Sequence, residues 1–461
     1  MSAAADTSRS YRSGMSLFLD PPPAPPAGEV GTLAWLRASA ARFSSGAEHA
    51  RRRKLVDEQL AAVDPAGLRT LVATADVGPD FARRALVAAL AEALGARDDV
   101  VDAVLTVAGG YRTGEPSPGA EDAVALLARQ WGTDEAAANR ISLLVQACDA
   151  TAALIRGDDP PVPTTRRVAG DGTVITVDLA EHPFGAGPHA CPGREHALAM
   201  AQGAAIALRR AEFAALHRGA RPLLLPNAWD HASAAAFVAM GFPAVGTTSL
   251  GVAASAGLPD GTGATRHETL DLARRLAGLP CLLSVDIETG FSTDPREVAA
   301  LTAELAALGV AGVNLEDAVG DVDRQRELIA AARSSGLFVN ARTDTHWLRT
   351  GDDREAIGRC QSYVDAGAHA VFVPGMRDER SISALVAAVD AAVNVLYSPD
   401  GPGYRRLGEL GVARVSCGSL PFRVALGAAV ATVEAVAAGR PVPGGAVSYA
   451  EVVARSGAAP R

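Results

Sequence analysis

From Leu223 onward the chain alternates short apolar runs with helical stretches, and the runs number eight: LLLPN, AVGTTS, CLLSVDIE, GVNLED, LFVNARTD, AVFVPG, VNVLYS and RVSCG. Continuous apolarity, rather than strict alternation, is what a strand needs when both its faces are covered, as in a parallel sheet flanked by helices. The segments between the runs carry helix signals. Thr265 and Glu268 form a capping-box pattern, and Asp294-Pro295 opens a stretch in which Val298, Leu301, Leu305 and Leu308 recur at helical spacing before Gly309. Eight strand-helix units in this length predict an α/β fold, a closed (β/α)8 TIM barrel, with its active site at the C-terminal ends of the strands.

Those ends carry Asn227 and Trp229, then Thr248 and Ser249, Asp286 and Glu288, Glu316 and Asp317, Arg342 and Asp344, and Ser398. Asp286 and Glu288 lie two apart, so both point to one side of their strand, and Glu316 ends the next strand. Two carboxylates ~4 Å apart at an effective dielectric of ~20 repel by roughly 4 kcal/mol. A convergent set therefore needs protons or a cation, and a hard divalent ion, Mg2+ or Mn2+, suits oxygen ligands. The alternative for Asp286 and Asp317 is helix N-capping, since each precedes a helix. Asp260, in GLPDG, also suits a plain turn. Arg342 needs an anionic partner, and its planar fork fits a substrate carboxylate; a salt bridge to Glu316 or Asp344 is the alternative.

A chain of 461 residues exceeds one core, so two domains are expected. With 48% hydrophobic and 21% charged residues, most of it can fold. The net charge of -9 argues against nucleic-acid and anionic-membrane partners and toward a small molecule. Cys148, Cys191, Cys281, Cys360 and Cys417 have no paired spacing, and the first residues carry no apolar stretch of signal-peptide length; both point to the cytoplasm. The uncharged run from Ala232 to Pro259 is long enough to cross a bilayer, but Gly241, Pro243, Gly246 and the Thr247–Ser249 triplet break it into helix, strand and loop.

The expected domains are a disordered arm at 1–27, a mainly helical domain at 28–205 and the barrel at 206–461, the junction lying inside a long helix from Arg194 to His217. In the first half, PDFARRALVAALAEALGA and EDAVALLARQW read as helices and TVITVDLA as one strand. PFGAGPHACPGRE then sets Cys191 just ahead of a helix, a place expected to lower the thiol pKa and to suit a metal-ligating thiolate.

The strand-end motifs PNAWD, TTS, GLPDG, SVDIETGF, GVNLED and NARTD together resemble the isocitrate lyase and phosphoenolpyruvate mutase superfamily. The resemblance implies Asp286 as direct metal ligand, with Asp260, Glu288 and Glu316 holding metal-bound waters. It also implies that Thr248, Ser249 and Leu250 receive a 2-oxo carboxylate, beside Asn227 and Trp229 at the first strand end. Arg342 and Glu316 would serve catalysis. The implied activity is breakage of a carbon-carbon bond beside a small 2-oxo acid, by a lyase, decarboxylase or hydrolase, through a pyruvate-like enolate. Isocitrate-cleaving members carry Lys-Cys-Gly-His after the fourth strand, where this chain has DAVGDVDRQRE. Isocitrate-type cleavage is therefore not expected, and His346 and Arg324 remain as candidate proton carriers. The superfamily also exchanges its last helix between subunits, which implies a homo-oligomer and a docking role for SYAEVVARSGAAPR.

The Cys191 loop resembles the ligand loop of haem-thiolate monooxygenases, EHARRRKLV their propionate-binding helix (His49, Arg53), and LLVQACDATAALI their oxygen-activating helix. Asp149 is followed by Ala150, with Thr151 one place late, and the Glu-x-x-Arg helix is missing. A truncated relic without haem is the expectation. A haem carrier or sensor through Cys191, and a catalytically silent scaffold, are the alternatives to the barrel enzyme.

Overall fold

The computed structural model describes residues 10–11, 14–23, 26–442 and 444–455. It divides into two compact units, Met1–Ala205 and Ile206–Arg461, the division falling within the helix Arg194–Leu216.

In the first unit the helix Glu135–Arg156 is packed by Gly46–Ala61, Phe81–Ala93 and Val101–Tyr111. Asp134 caps it by accepting from the Ala137 amide at 2.7 Å. The expected single strand is a three-stranded sheet. Strand β1 (Ser10–Tyr11) runs parallel to β3 (Val174–Asp178), which pairs antiparallel with β2 (Thr164–Val168). The arm expected to be disordered supplies β1 and a 3-10 turn, Gly14–Phe18, whose Leu17 is buried with Ile175, Val177 and Leu179. The exposed β3 edge and one leucine anchor it; the rest of that arm's N-terminus lies outside the described residues.

The second unit is the expected barrel with one adjustment. The first stave is split at Pro226, which lacks an amide hydrogen, into β4 (Leu223–Leu225) and β5 (Asn227–Ala228). The sheet continues through β6 (Ala244–Thr247), β7 (Leu282–Asp286), β8 (Gly312–Glu316), β9 (Phe338–Arg342), β10 (Ala370–Phe372), β11 (Ala392–Leu396) and β12 (Arg414–Ser416). Every pairing is parallel; β4 pairs with β12 and β5 with β6, so the two halves of one stave close the ring.

Period-two alternation stacks the inward side chains in layers. At the base, Phe213 plugs a floor of Leu223, Leu225, Ala244, Leu282 and Phe338. Above it lie Ser284, Asn314, Asn340, Asn394, Arg414 and Ser416, all buried. Asn340 Nδ2 and Arg414 Nη2 both donate to Asn314 Oδ1, at 2.9 and 3.1 Å. Two residues further along β7, β8 and β9 come Asp286, Glu316 and Arg342. The mouth chemistry thus stands on a polar middle layer where barrels of this kind usually pack Val, Ile and Leu. Phe213→Ala removes the floor's largest plug and is expected to cost about 3–5 kcal/mol in urea unfolding followed by circular dichroism.

Candidate active site

Each acid of the mouth is held differently. Glu288 sits at φ 48°, a left-handed conformation that a non-glycine residue adopts at some cost. Its carboxylate compensates by accepting from the Gly263 amide at 2.9 Å and the Thr265 hydroxyl at 2.5 Å. Thr265 therefore makes no capping box with Glu268; its hydroxyl is spent inward on the buried Glu288 carboxylate, for which it is the side-chain donor among the described residues. Asp286 receives the Glu288 amide at 3.2 Å, and its own amide donates to the Thr247 hydroxyl at 2.8 Å. Neither Asp286 nor Asp317 is an N-cap. Asp294 and Asp321 cap the following helices, donated to by the Arg296 and Arg324 amides.

Arg342 takes both of its expected acidic neighbours. Its Nη1 lies 2.7 Å from Glu316 Oε2 and its Nε 2.6 Å from Asp344 Oδ1. The salt-bridge alternative thus describes two of its three nitrogens, and Nη2 makes no hydrogen bond among the described residues. Asp286, Glu316 and Asp344 share this one guanidinium, and Glu288 adds its negative charge to Asp286 and Glu316. Burial pushes the Asp286 carboxyl above the usual carboxylate range; Arg342 opposes the shift, and Asp260 and Glu288 add to it. Burial does the same to Glu316, against Arg342 and with Asp286 and Asp344. Burial works against the charge on Arg342, yet Glu316, Asp344 and Asp286 lift its pKa. The Glu316–Arg342 ion pair is close, but one cation divided among several buried acids does not offset their desolvation.

This imbalance is the test of whether a divalent ion suits the site, and the residues fit it. The donors are carboxylate oxygens, the cluster is short of positive charge, and Asp286 has no ion pair or side-chain donor of its own among the described residues. Among the described residues no three His, Cys, Asp or Glu side chains converge as a ready-made metal cage. That is compatible with an ion bound through one or two carboxylates and waters. Asp260 is exposed in the turn after the helix Ser249–Ala256, within electrostatic reach of Asp286.

The other expected site residues divide into contacts and supports. Thr248, Ser249 and Leu250 form a helix start rather than a loop: Thr248 is the N-cap of Ser249–Ala256, so first-turn N–H groups face out of the helix end. Asn227 is a clamp. Its Nδ2 donates to Thr247 O at 2.8 Å and its Oδ1 accepts the Cys417 and Gly418 amides at 2.9 Å each, tying the split first stave to its neighbours. Trp229 packs edge-on against Phe422, ring centroids 5.5 Å apart. His346 is paired with Asp353 at 2.9 Å, and Arg324 lies on the exposed face of its helix, paired with Glu327 at 2.6 Å.

Several working residues escaped the sequence: Thr247, Thr265 and Gly263 under the acids, and the polar layer with Arg414. Burial lowers the Arg414 pKa to about 9, with Asp286 raising it. The available signal was a Val-Asn pair recurring in three runs, at 313–314, 339–340 and 393–394.

In the first unit, Cys191 departs from expectation. The residue is exposed, yet desolvation by the atoms packed around its thiol pushes the pKa up, against the Gly193 amide and the nearby Arg53 and Arg42. Arg53 is spent on the loop itself, donating to Pro188 O at 3.2 Å and Ala190 O at 2.8 Å. His49 packs against His189 with the rings tilted by 46° and their centroids 4.0 Å apart, and Asp149 is paired with Arg83 at 2.7 Å.

Residues 213–437 match the family model for phosphoenolpyruvate phosphomutase. An uncharacterised protein of Mycobacterium tuberculosis is 45% identical over 247 residues, which cover 52% of this chain and 94% of that protein. This chain belongs, through its barrel, to the isocitrate lyase and phosphoenolpyruvate mutase superfamily. Among other superfamily relatives, the oxaloacetate decarboxylase of Rhodopseudomonas palustris is 31% identical over 39% of this chain and 68% of its own length. A solved structure from Burkholderia cenocepacia, named as a lyase or mutase, superposes with a TM-score of 0.51 at 31% identity, over 55% of this chain and 97% of that one. The span matched by the family model lies wholly within the second unit.

Proposed function

We propose that the barrel is a Mg2+-dependent carbon-carbon lyase that decarboxylates an oxaloacetate-like 2-oxo diacid through a pyruvate enolate. The observation that carries this is the cluster of three acids, Asp286, Glu316 and Asp344, around one guanidinium at the mouth of a superfamily barrel. Asp286 would hold the ion, with Glu288, Glu316 and Asp260 accepting from its waters; Mn2+ suits the same oxygens. When bound, the ion supplies Lewis-acid stabilisation of the developing oxyanion. The Ser249 and Leu250 amides, unpartnered within their helix, meet the 2-oxo carboxylate. The free Nη2 of Arg342 faces the same negative charge. Decarboxylation breaks the bond between C3 and the departing CO2, and the enolate left behind takes its proton from water.

The loop after β8 favours decarboxylation over isocitrate-type cleavage. Only Ala318–Asp321 separate Asp317 from the helix Val322–Arg333, and none of the four is a Cys, Lys or His that could deliver a proton. A panel of 2-oxo diacids assayed for pyruvate release with Mg2+, corrected for metal-only decarboxylation, tests this. Release from an oxaloacetate-like acid is expected; no metal-dependent turnover from a correctly folded protein would end the proposal.

We also infer a homo-oligomer, a reading supported by the exposed apolar face of the helix Leu420–Ala437. Val424, Val430, Val433 and Val436 are more than half exposed on it. By length and composition it could cross a membrane, the one such helix among the described residues. An exchanged subunit helix has the same character, and a barrel flanked by charged helices favours that explanation. Val430→Glu with Val433→Glu is expected to leave a monomer in sedimentation velocity, whereas a membrane role predicts loss of vesicle binding with assembly unchanged. A cytoplasmic enzyme is consistent with the five cysteines being free thiols.

A further inference from the structure

Behind the mouth, on the helix Asp353–Asp365, two side chains reach a buried acid that touches no solvent. Tyr363 Oη donates to Asp317 Oδ2 at 2.7 Å, and Arg359 Nη1 lies 3.1 Å from the same oxygen. Tyr363 is fully buried and the Asp317 carboxylate has no exposed surface. The other oxygen, Oδ1, accepts the Asp344 amide at 3.0 Å and the Val319 amide at 2.8 Å. Asp344 in turn holds Arg342 Nε at 2.6 Å. The Asp317 amide closes the circuit by donating to Arg342 O at 3.1 Å.

The same two anchors secure a strained loop. Ala318 and Val319 both take left-handed backbone, φ 44° and 57°, which is costly for a β-branched residue. The Asp317 carboxylate grips Val319 from one side, and Arg359 Nη1 donates to Gly320 O at 2.8 Å from the other. A buried carboxylate with four donors has a single well-defined position, so it can transmit that position to whatever it binds.

We propose that Arg359 and Tyr363 are positioning residues that set the orientation of Arg342 through the Asp317 carboxylate and the Asp344 backbone. The inference rests on the proposed role of Arg342 toward a 2-oxo acid, but its geometry does not. Here a helix after the fifth stave braces the ends of the fourth and fifth together, so the guanidinium is held against Glu316 and Asp344 without contact from either brace.

The test uses the full chain with Tyr363→Phe, Arg359→Met, the double variant and Arg359→Lys, which restores the charge. Two readouts are taken: the Nε–H resonance of Arg342, assigned by its loss in Arg342→Lys, and calorimetric titration of oxalate, an enolate mimic, with Mg2+. In Tyr363→Phe and in the double variant the resonance is expected to shift and exchange faster with solvent. Oxalate affinity should fall by about tenfold or more in the double variant and by less in Arg359→Met, with Arg359→Lys staying nearer wild type than Arg359→Met. An unmoved resonance and wild-type affinity in both Tyr363→Phe and the double variant, at preserved thermal midpoints, would overturn the proposal. If wild-type protein bound no oxalate while the resonance still moved, the positioning circuit would stand and the 2-oxo acid proposal would fall.

Discussion

Asp286→Ala is expected to lower metal-dependent turnover by about a hundredfold to a thousandfold, the scale lost when a principal oxyanion-stabilising element is removed. Among the described residues Asp286 has no ion pair or side-chain donor of its own, while Glu288 is satisfied by Thr265 and Gly263, and Glu316 by Arg342. The loss should therefore fall mainly on Asp286. The same substitution is expected to leave the thermal midpoint of metal-free protein unchanged or higher, because burial disfavours the charged form it removes. Initial rates at saturating substrate, paired with a melting curve, separate this result from simple unfolding. A variant that melts early and loses activity in proportion would contradict it.

The second large effect is on stability against pH. Asp286 and Glu316 both have pKa values raised by burial. An acid whose folded pKa lies above its unfolded value makes the native state bind the extra proton. Its contribution is fully present below the unfolded pKa and is lost as pH rises through the folded value. Metal-free protein should accordingly lose stability as pH climbs from the ordinary carboxylate range toward neutrality and above. Mg2+ replaces the missing protons, so its stabilisation should be larger at pH 8 than at pH 5; at a hundred times its dissociation constant it contributes ~2.7 kcal/mol. Scanning calorimetry over that range, with Mg2+ and with a chelator, gives the comparison. Equal Mg2+ effects at both pH values would count against the cluster as the binding site.

Much of the barrel was legible because its strands are buried on both faces and end in chemically distinctive residues. VDIE, NLED and NART placed Asp286, Glu316 and Arg342 on the mouth before any coordinates, since period two and strand order suffice for that. What stayed hidden depends on contacts between segments far apart in sequence. Nothing local tells Thr265 to face Glu288 instead of capping its own helix, and nothing in PNAWD shows the Asn227 amide spent on residues 247, 417 and 418. Cys191 shows the opposite failure. A Gly-rich loop before a helix promised a lowered thiol pKa, but desolvation by the atoms packed around that exposed residue's thiol raises it instead. The exposed apolar face of Leu420–Ala437 was also unreadable from composition, because a core helix has the same residues.

The most direct measurement of the central claim is Mn2+ binding followed by electron paramagnetic resonance, using Mn2+ as a visible substitute for Mg2+. One ion per chain is predicted, bound more tightly when oxalate is present and lost in Asp286→Ala. No specific ion in the wild-type protein, or an ion bound equally well without Asp286, would contradict the account.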